Sequence, residues 1–169
     1  MPTTRLQAFA PLARADAHTL ILGSMPGTAS LAASEYYAHP RNLFWPVVAE
    51  LLGFDARLPY AGRVEALAAR GYALWDVLGG CRRQGSLDSA IEPESMEIND
   101  FQTFFRAHPR VERVFCNGSF AATLFRRRVL PVLGESAGRL QLHRLPSTSP
   151  AHAGMTAEAK RAAWAAILR

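Results

Sequence analysis

The feature that most limits what this chain can become is the run Thr19-Leu20-Ile21-Leu22, followed at once by Gly23-Ser24-Met25-Pro26-Gly27. A strand from Thr19 to Leu22 with no polar alternation fits a sheet covered on both faces, as in α/β proteins. The break that follows has a chemical meaning. Glycine lets the backbone turn sharply and approach a ligand closely, and Pro26 fixes one φ. In an open α/β sheet, ligands bind in loops leaving the carboxyl ends of strands. The continuation Tyr36-Tyr37-Ala38-His39-Pro40-Arg41-Asn42-Leu43-Phe44-Trp45 places two Tyr, a His, an Asn, a Phe and a Trp within ten residues. That much hydrogen-bonding aromatic surface in one loop reads as a site.

The rest of the chain repeats the strand-then-helix pattern. Pro2 and Pro11 make residues 1–18 an extended lead-in. Phe44, Val47, Val48, Leu51 and Leu52 have helical spacing and stop at Gly53. The chain turns around Pro59 to Gly62, and a short helix is expected from Arg63 to Arg70. Tyr72 to Leu78 is a second buried strand running into Gly79-Gly80, and Cys81 to Glu97 is loop-rich. Asn99 is the expected cap of a helix from Asp100 to Ala107. Val111 to Cys116 is a third strand, and Asn117-Gly118-Ser119 opens a helix to about Val129. Leu140 to Leu145 is a fourth strand, followed by Pro146-Ser147-Thr148-Ser149-Pro150. Thr156 caps a closing helix to Leu168. Strands alternating with helices predict an α/β fold: a three-layer αβα sandwich around a central four-stranded, mainly parallel sheet. Residues 1–169 are expected to form a single domain. The loops after all four strands should then gather on one edge of the sheet.

Composition narrows the class. At 169 residues, 49% of them hydrophobic, the chain can bury a substantial core. No window approaches the ~18 consecutive apolar residues of a membrane-spanning helix, so no membrane association is expected. The first twenty residues carry Arg5, Arg14 and Asp16 without an apolar run, so no signal peptide is expected. Cys81 and Cys116 are too few for a disulfide scaffold and lack metal-ligand spacing. The expected setting is the reducing cytoplasm, with no metal and no cofactor. The net charge of +5 permits a polyanionic partner. Of the basic residues only Lys160 is a lysine, and arginine suits bidentate phosphate contact. A composition also rich in Ala offers codon bias as an equal explanation.

Gly23-Ser24-Met25-Pro26-Gly27, the run His39 to Trp45 and the Pro-Ser-rich loop near the C-terminus, in that order, resemble the uracil-DNA glycosylase superfamily. The resemblance covers roughly Leu20 to Ala153 and is closest to the hypoxanthine-DNA (deoxyinosine) glycosylase branch. The mismatch-specific uracil/thymine glycosylases come next. It implies excision of a deaminated base, most readily hypoxanthine, from DNA by a monomer that needs no cofactor. Such an enzyme must extrude the nucleotide before any side chain can reach it. Cleavage builds positive charge on the sugar and negative charge on the base, so the site must hold water and aim donors at the base.

The resemblance also distributes roles. Relatives carry Asp or Asn at the third position of the first motif, where Met25 stands here. Uracil glycosylases commonly carry a His before the Pro-Ser pair of the second motif, where Leu145 stands here. Both departures argue against a standard uracil glycosylase. Asn42 then becomes the residue expected to position water or base, although capping the next helix is an equally ordinary task for Asn. Phe44 is expected to stack on the flipped base, Tyr37 to wall the pocket, and Asp76 to read the base edge. Gly23, Ser24 and Met25 complete the base-binding set. His39, Asn117, Pro146, Ser147, Thr148, Ser149 and His152 form the expected DNA-binding set, although Asn117 equally suits a turn. Lys160 is expected to lie away from the site, which leaves no amine for lyase chemistry.

Three other readings remain open on the residues. One is a uracil or G:U/G:T mismatch glycosylase. Another is a non-catalytic lesion-binding module of the same fold. The third is a different α/β enzyme holding a nucleotide or phosphate at Gly23–Gly27, which has neither the Gly-Lys-Ser/Thr of a P-loop nor a G-x-G-x-x-G fingerprint. Two cysteines cannot hold an iron–sulfur cluster.

Overall fold

A computed structural model describes residues 2–169. The elements in chain order are β1 (Arg5–Gln7), β2 (Thr19–Gly23), α1 (Thr28–Ala33), α2 (Phe44–Leu52), α3 (Tyr60–Ala69), β3 (Tyr72–Asp76) and β4 (Leu78–Arg82). They continue with β5 (Glu97–Ile98), α4 (Phe101–Ala107), β6 (Arg113–Asn117), α5 (Ser119–Leu124), β7 (Gln141–Leu145) and α6 (Ala157–Trp164). Four strands form a parallel sheet in the order β3-β2-β6-β7. Successive residues of β2 feed opposite cores, which is why its sequence shows no alternation. Leu20 and Leu22 join Phe101, Phe104 and Phe105 of α4 and Ala121, Ala122 and Leu124 of α5. Ile21 joins Phe44, Trp45, Val47 and Val48 of α2, Leu67 of α3 and Trp164 of α6. Two helical layers therefore sandwich the sheet, as the sequence predicts. No helix among the described residues is long and apolar enough to cross a membrane.

The expected helix of residues 44–52 is α2, ended by Gly53 at φ 76°, where glycine avoids the left-handed strain. Thr156 caps α6 by accepting the Ala159 N–H at 3.1 Å. Several boundaries differ. Pro59 takes the cap position of α3, so that helix begins at Tyr60, three residues before the expected Arg63. Asp100, not Asn99, caps α4 by accepting the Thr103 N–H at 3.1 Å. The Asn99 amide donates instead to the Asp76 carbonyl at 2.8 Å. The helix opened by Ser119 leaves α geometry at Phe125 and finishes as a π turn over Phe125–Val129.

The largest departure is a second sheet. The expected strand Tyr72 to Leu78 stops at Asp76, because Val77 N–H turns to the Gly23 carbonyl (2.9 Å) and Leu78 N–H to the Ser24 carbonyl (3.0 Å). The chain then crosses into a three-stranded antiparallel sheet, β1-β4-β5. The lead-in is thus not merely extended: Arg5–Gln7 pairs with Arg82–Gly80, and Leu12 bridges Leu74. Gly79 and Gly80 allow this close approach. A Cβ on Gly79 would lie 2.5 Å from Asn99 Oδ1, and one on Gly80 would lie 3.0 Å from the Leu6 carbonyl.

Candidate active site

The last residues of the four parallel strands, Gly23, Asp76, Asn117 and Leu145, all line one cavity of about 850 Å³. Pockets for small organic ligands run from about 300 to about 1,000 Å³. The loop of residues 23–30 forms one wall, the segment around Tyr37, His39 and Asn42 another, and residues 144–152 a third.

The floor is where Gly23 has no side chain. A Cβ there would collide with Asp76 Oδ1 and lie 3.1 Å from the Tyr37 hydroxyl. Asp76 is 3% exposed, and its Oδ2 has no hydrogen-bond partner; the buried Tyr37 hydroxyl has none either. Burial pushes the Asp76 carboxyl up to about 7, the nearby Asp88 carboxylate adds to the rise, and the Arg83 guanidinium opposes it. Burial likewise raises the Tyr37 phenol, with Asp76 as the next cause. Unpartnered polar groups at the end of a cavity are groups a ligand can satisfy.

Tyr37 holds a left-handed backbone at φ 55°, a conformation that costs a non-glycine residue energy and needs support from its surroundings. Its neighbours supply that support. The Tyr36 hydroxyl donates to the Ala10 carbonyl (2.9 Å), Trp45 Nε1 to the Tyr36 carbonyl (2.9 Å), and Ala38 N–H to Ser30 Oγ (3.1 Å). Behind Tyr37 lies Phe44, with ring centroids 4.1 Å apart and planes 24° apart. Phe44 is fully buried and does not line the cavity. The expected base-stacking role of Phe44 is therefore corrected: its ring backs Tyr37, and Tyr36 and Tyr37 are the tyrosines that line the cavity. Asn42 does cap a helix, since its Oδ1 accepts the Phe44 N–H at 2.9 Å. It also lines the cavity. Capping uses one lone pair of Oδ1, so the other lone pair and the amide NH₂ remain for a ligand.

On the opposite side, Asn117 grips the C-terminal loop with both ends of its amide. Its Nδ2 donates to Thr148 Oγ1 and its Oδ1 accepts the Thr148 N–H, each at 2.9 Å. The pair anchors the loop: Thr148 is 1% exposed, and both residues also line the cavity. Pro146, Ser147 and Ser149 line the cavity, as does exposed His152. Ser147 Oγ accepts the Ser149 N–H at 3.1 Å. Exposed His39 sits at the rim with Nδ1 accepting the Arg41 N–H at 3.1 Å. Lys160 is not remote from this loop. Buried at 3% exposure, its ammonium donates to the His152 carbonyl at 2.6 Å and the Ser149 carbonyl at 3.4 Å, holding the loop from behind.

Several lining residues escaped the sequence reading. Ser24 Oγ donates to Asp88 Oδ1 at 2.6 Å, across 64 residues of chain. Buried Arg83 ties the first loop to the same segment through Pro26 O (2.6 Å) and Gly85 O (2.8 Å). Ser86 Oγ accepts the Thr28 N–H at 2.9 Å, and exposed Leu87, Arg144 and Met155 lie at the cavity margin. The loop of residues 81–97 carries no local motif, so only its return to the first loop marks Asp88.

An α/β sandwich whose parallel strand ends converge on a deep, half-polar cavity defines a small-ligand or base-binding enzyme class. The family model of the uracil DNA glycosylase superfamily matches residues 10–168, and the chain belongs to that superfamily. A hypoxanthine DNA glycosylase from Methanosarcina barkeri is 37% identical over 113 residues, 66% of this chain and 70% of that one. One from Methanosarcina acetivorans is 36% identical over 100 residues, 59% of this chain and 62% of that one. A solution NMR structure from M. acetivorans, provisionally described as a uracil DNA glycosylase, superposes with a TM-score of 0.78. Its sequence is 26% identical, and the match covers 98% of this chain and all of that one.

Proposed function

We propose that this protein is a monofunctional DNA glycosylase that takes a deaminated nucleotide out of the stack and hydrolyses its N-glycosidic bond, with hypoxanthine as the preferred base. The observation that carries this reading is the cavity floor, where the unpartnered Asp76 carboxyl and Tyr37 hydroxyl converge over Gly23. A planar base entering there meets an aromatic surface and two groups for its polar edge. Stacking on Tyr37 accepts any base, so discrimination falls to Asp76 and to the backbone of the loop at Gly23, Ser24 and Met25. The two Methanosarcina relatives named as hypoxanthine DNA glycosylases support the choice of base.

In this reading Asn42 holds the attacking water or the base through its NH₂ group and the second lone pair of Oδ1. Pro146, Ser147 and Ser149 grip the backbone beside the flipped nucleotide, with His39 and His152 at the rim within reach of phosphates, contacts that fix register without reading sequence. Lys160 is committed to two carbonyls, which leaves its amine unavailable for a Schiff base with the sugar. The partner is DNA containing a deaminated base, and the protein acts as a monomer in the cytoplasm.

The test is alkali-induced strand cleavage on labelled duplexes carrying one hypoxanthine, uracil, xanthine or no lesion. Hypoxanthine is expected to be released first, and release of uracil first would overturn the specificity. Lesion binding without release of any base would favour a non-catalytic module. Asn42→Ala is expected to keep lesion binding and lose about 100-fold or more in cleavage; unchanged turnover would remove Asn42 from the mechanism.

A further inference from the structure

We propose that Asp76 is the proton donor to the departing base, and that Asp88 is the positioning residue that keeps the proton on Asp76 rather than elsewhere in the pocket. The proposal rests on the reading of this cavity as a glycosylase site and deepens it, because an aspartate reading a base edge needs no proton of its own.

The groups facing Asp76 come from four segments. The loop after β2 brings Ser24, whose hydroxyl goes to Asp88 at 2.6 Å and not to Asp76. The segment before α2 brings the Tyr36 and Tyr37 phenols, both pushed up by burial and therefore neutral. The segment after β4 brings Arg83 and Asp88. Arg83 gives Nη2 to Pro26 O and Nε to Gly85 O and keeps Nη1 unpartnered; its charge partly opposes the rise of the Asp76 carboxyl, but no ion pair among the described residues includes Asp76. From the segment before α4, Asn99 takes only the Asp76 backbone carbonyl. A carboxylate 3% exposed, with no ion pair and an unpartnered Oδ2, is costly to leave charged, whereas its acid form is not.

Two carboxyls share this pocket, and they are not equivalent. Asp88 is half-buried, and burial raises its carboxyl too, but the Ser24 hydroxyl it accepts and the Arg83 charge oppose that rise. Asp76 has no side-chain donor. Of two carboxyls lining one cavity, the one whose charged form is less stabilised keeps its proton to higher pH, and the negative charge on the other favours that. Asp76 is that residue.

The chemistry balances. The C1′–N9 bond breaks with its electron pair going to the purine, and the Asp76 carboxyl proton passes to the purine at N7. Water bonds through oxygen to C1′ and gives up one proton, which restores the Asp76 acid directly or through solvent. Hypoxanthine leaves neutral, and the sugar leaves as the abasic hemiacetal. General acid catalysis of this kind contributes about 10²- to 10⁴-fold.

The deciding experiment is single-turnover excision from a hypoxanthine duplex between about pH 5.5 and about pH 9, with folding of each variant checked by thermal melting. The wild-type rate is expected to hold on the acid side and to fall about tenfold per pH unit above a break near neutrality. Asp76→Asn is expected to lose about 100-fold at the acid end and to lose the break. Asp88→Asn removes the charge that favours protonation, so its break moves about one unit lower, a shift that a merely structural role would not produce. A pH-independent wild-type rate, or a break that survives in Asp76→Asn, overturns the proposal and leaves the glycosylase reading intact. Absence of hypoxanthine excision at every pH overturns the glycosylase reading itself, and the proposal with it.

Discussion

Asp76→Asn makes a second prediction that needs no substrate. The Asp76 carboxyl is held up to about 7 in the folded protein, against 3.8 for an ordinary aspartate, because burial disfavours its charge. The unfolded chain therefore releases this proton near pH 4, while the folded chain keeps it until near neutrality. With more protons bound to the folded state across that window, stability must fall as pH rises through it. The contribution is fully present below about pH 4 and gone above the folded value. A gap of about three units at ~1.4 kcal/mol each gives a loss of roughly 4 kcal/mol from this group alone. That is a large part of the ~5–15 kcal/mol that holds a typical domain together. Asparagine keeps the shape and cannot titrate. Urea denaturation of both proteins at acid and at mildly alkaline pH should show wild type losing several kcal/mol relative to Asp76→Asn across the window. At high pH the variant should be the more stable of the two. Denaturation midpoints that move in parallel with pH would refute the claim that Asp76 is buried without an ion-pair partner.

Two further outcomes follow from contacts that surround the same cavity. Gly23→Ala places a methyl group against Asp76 Oδ1 and close to the Tyr37 hydroxyl; about 1–3 kcal/mol of stability should be lost by overpacking, and excision should fall at least tenfold. Retention of wild-type turnover would mean that the floor can shift at no functional cost. Lys160→Met removes the donor to the His152 and Ser149 carbonyls, so limited proteolysis should cut residues 146–155 sooner and KM should rise about tenfold with kcat less affected. A fall in kcat alone would place Lys160 in the chemistry instead.

The central sheet was legible because its strands are bounded by glycine or polar breaks and its unalternating β2 run has only one comfortable location. The second sheet was not, for a reason visible at residue 77. Nothing in Trp75-Asp76-Val77-Leu78 marks a break, since Val77 and Leu78 are as apolar and buried as the residues before them. The strand ends only because the backbone of Gly23 and Ser24 captures the next two N–H groups, a contact across more than fifty residues. The same limit applies at the site. Asn42 and Asp76 could be named from the family resemblance, whereas Phe44 and Tyr37 could not be told apart, because both are aromatic and seven residues apart. Their division into backing and exposed ring depends on the left-handed turn at Tyr37. Asp88 was invisible because its one distinguishing bond is to Ser24.

Met25 and Leu145, the two departures from the family pattern, take on a physical role once placed in the structure. Both line the cavity and are 7% and 4% exposed. The family resemblance implies a water-holding side chain and an imidazole at those positions; here they are thioether and hydrocarbon. Met25 packs in the same cluster as Leu22, Trp75 and Val77, the neighbours of Asp76 in sequence and in the sheet. An apolar wall there removes competing water and lowers the local dielectric, which strengthens every polar interaction that remains. The carboxyl left in that wall is Asp76, and desolvation is the first cause of its holding a proton. The apolar wall and the proposed proton donor on the floor thus belong to one environment. Met25 and Leu145 offer no side chain to stabilise an anionic pyrimidine, and the proposed acid suits a purine that can accept a proton as it leaves.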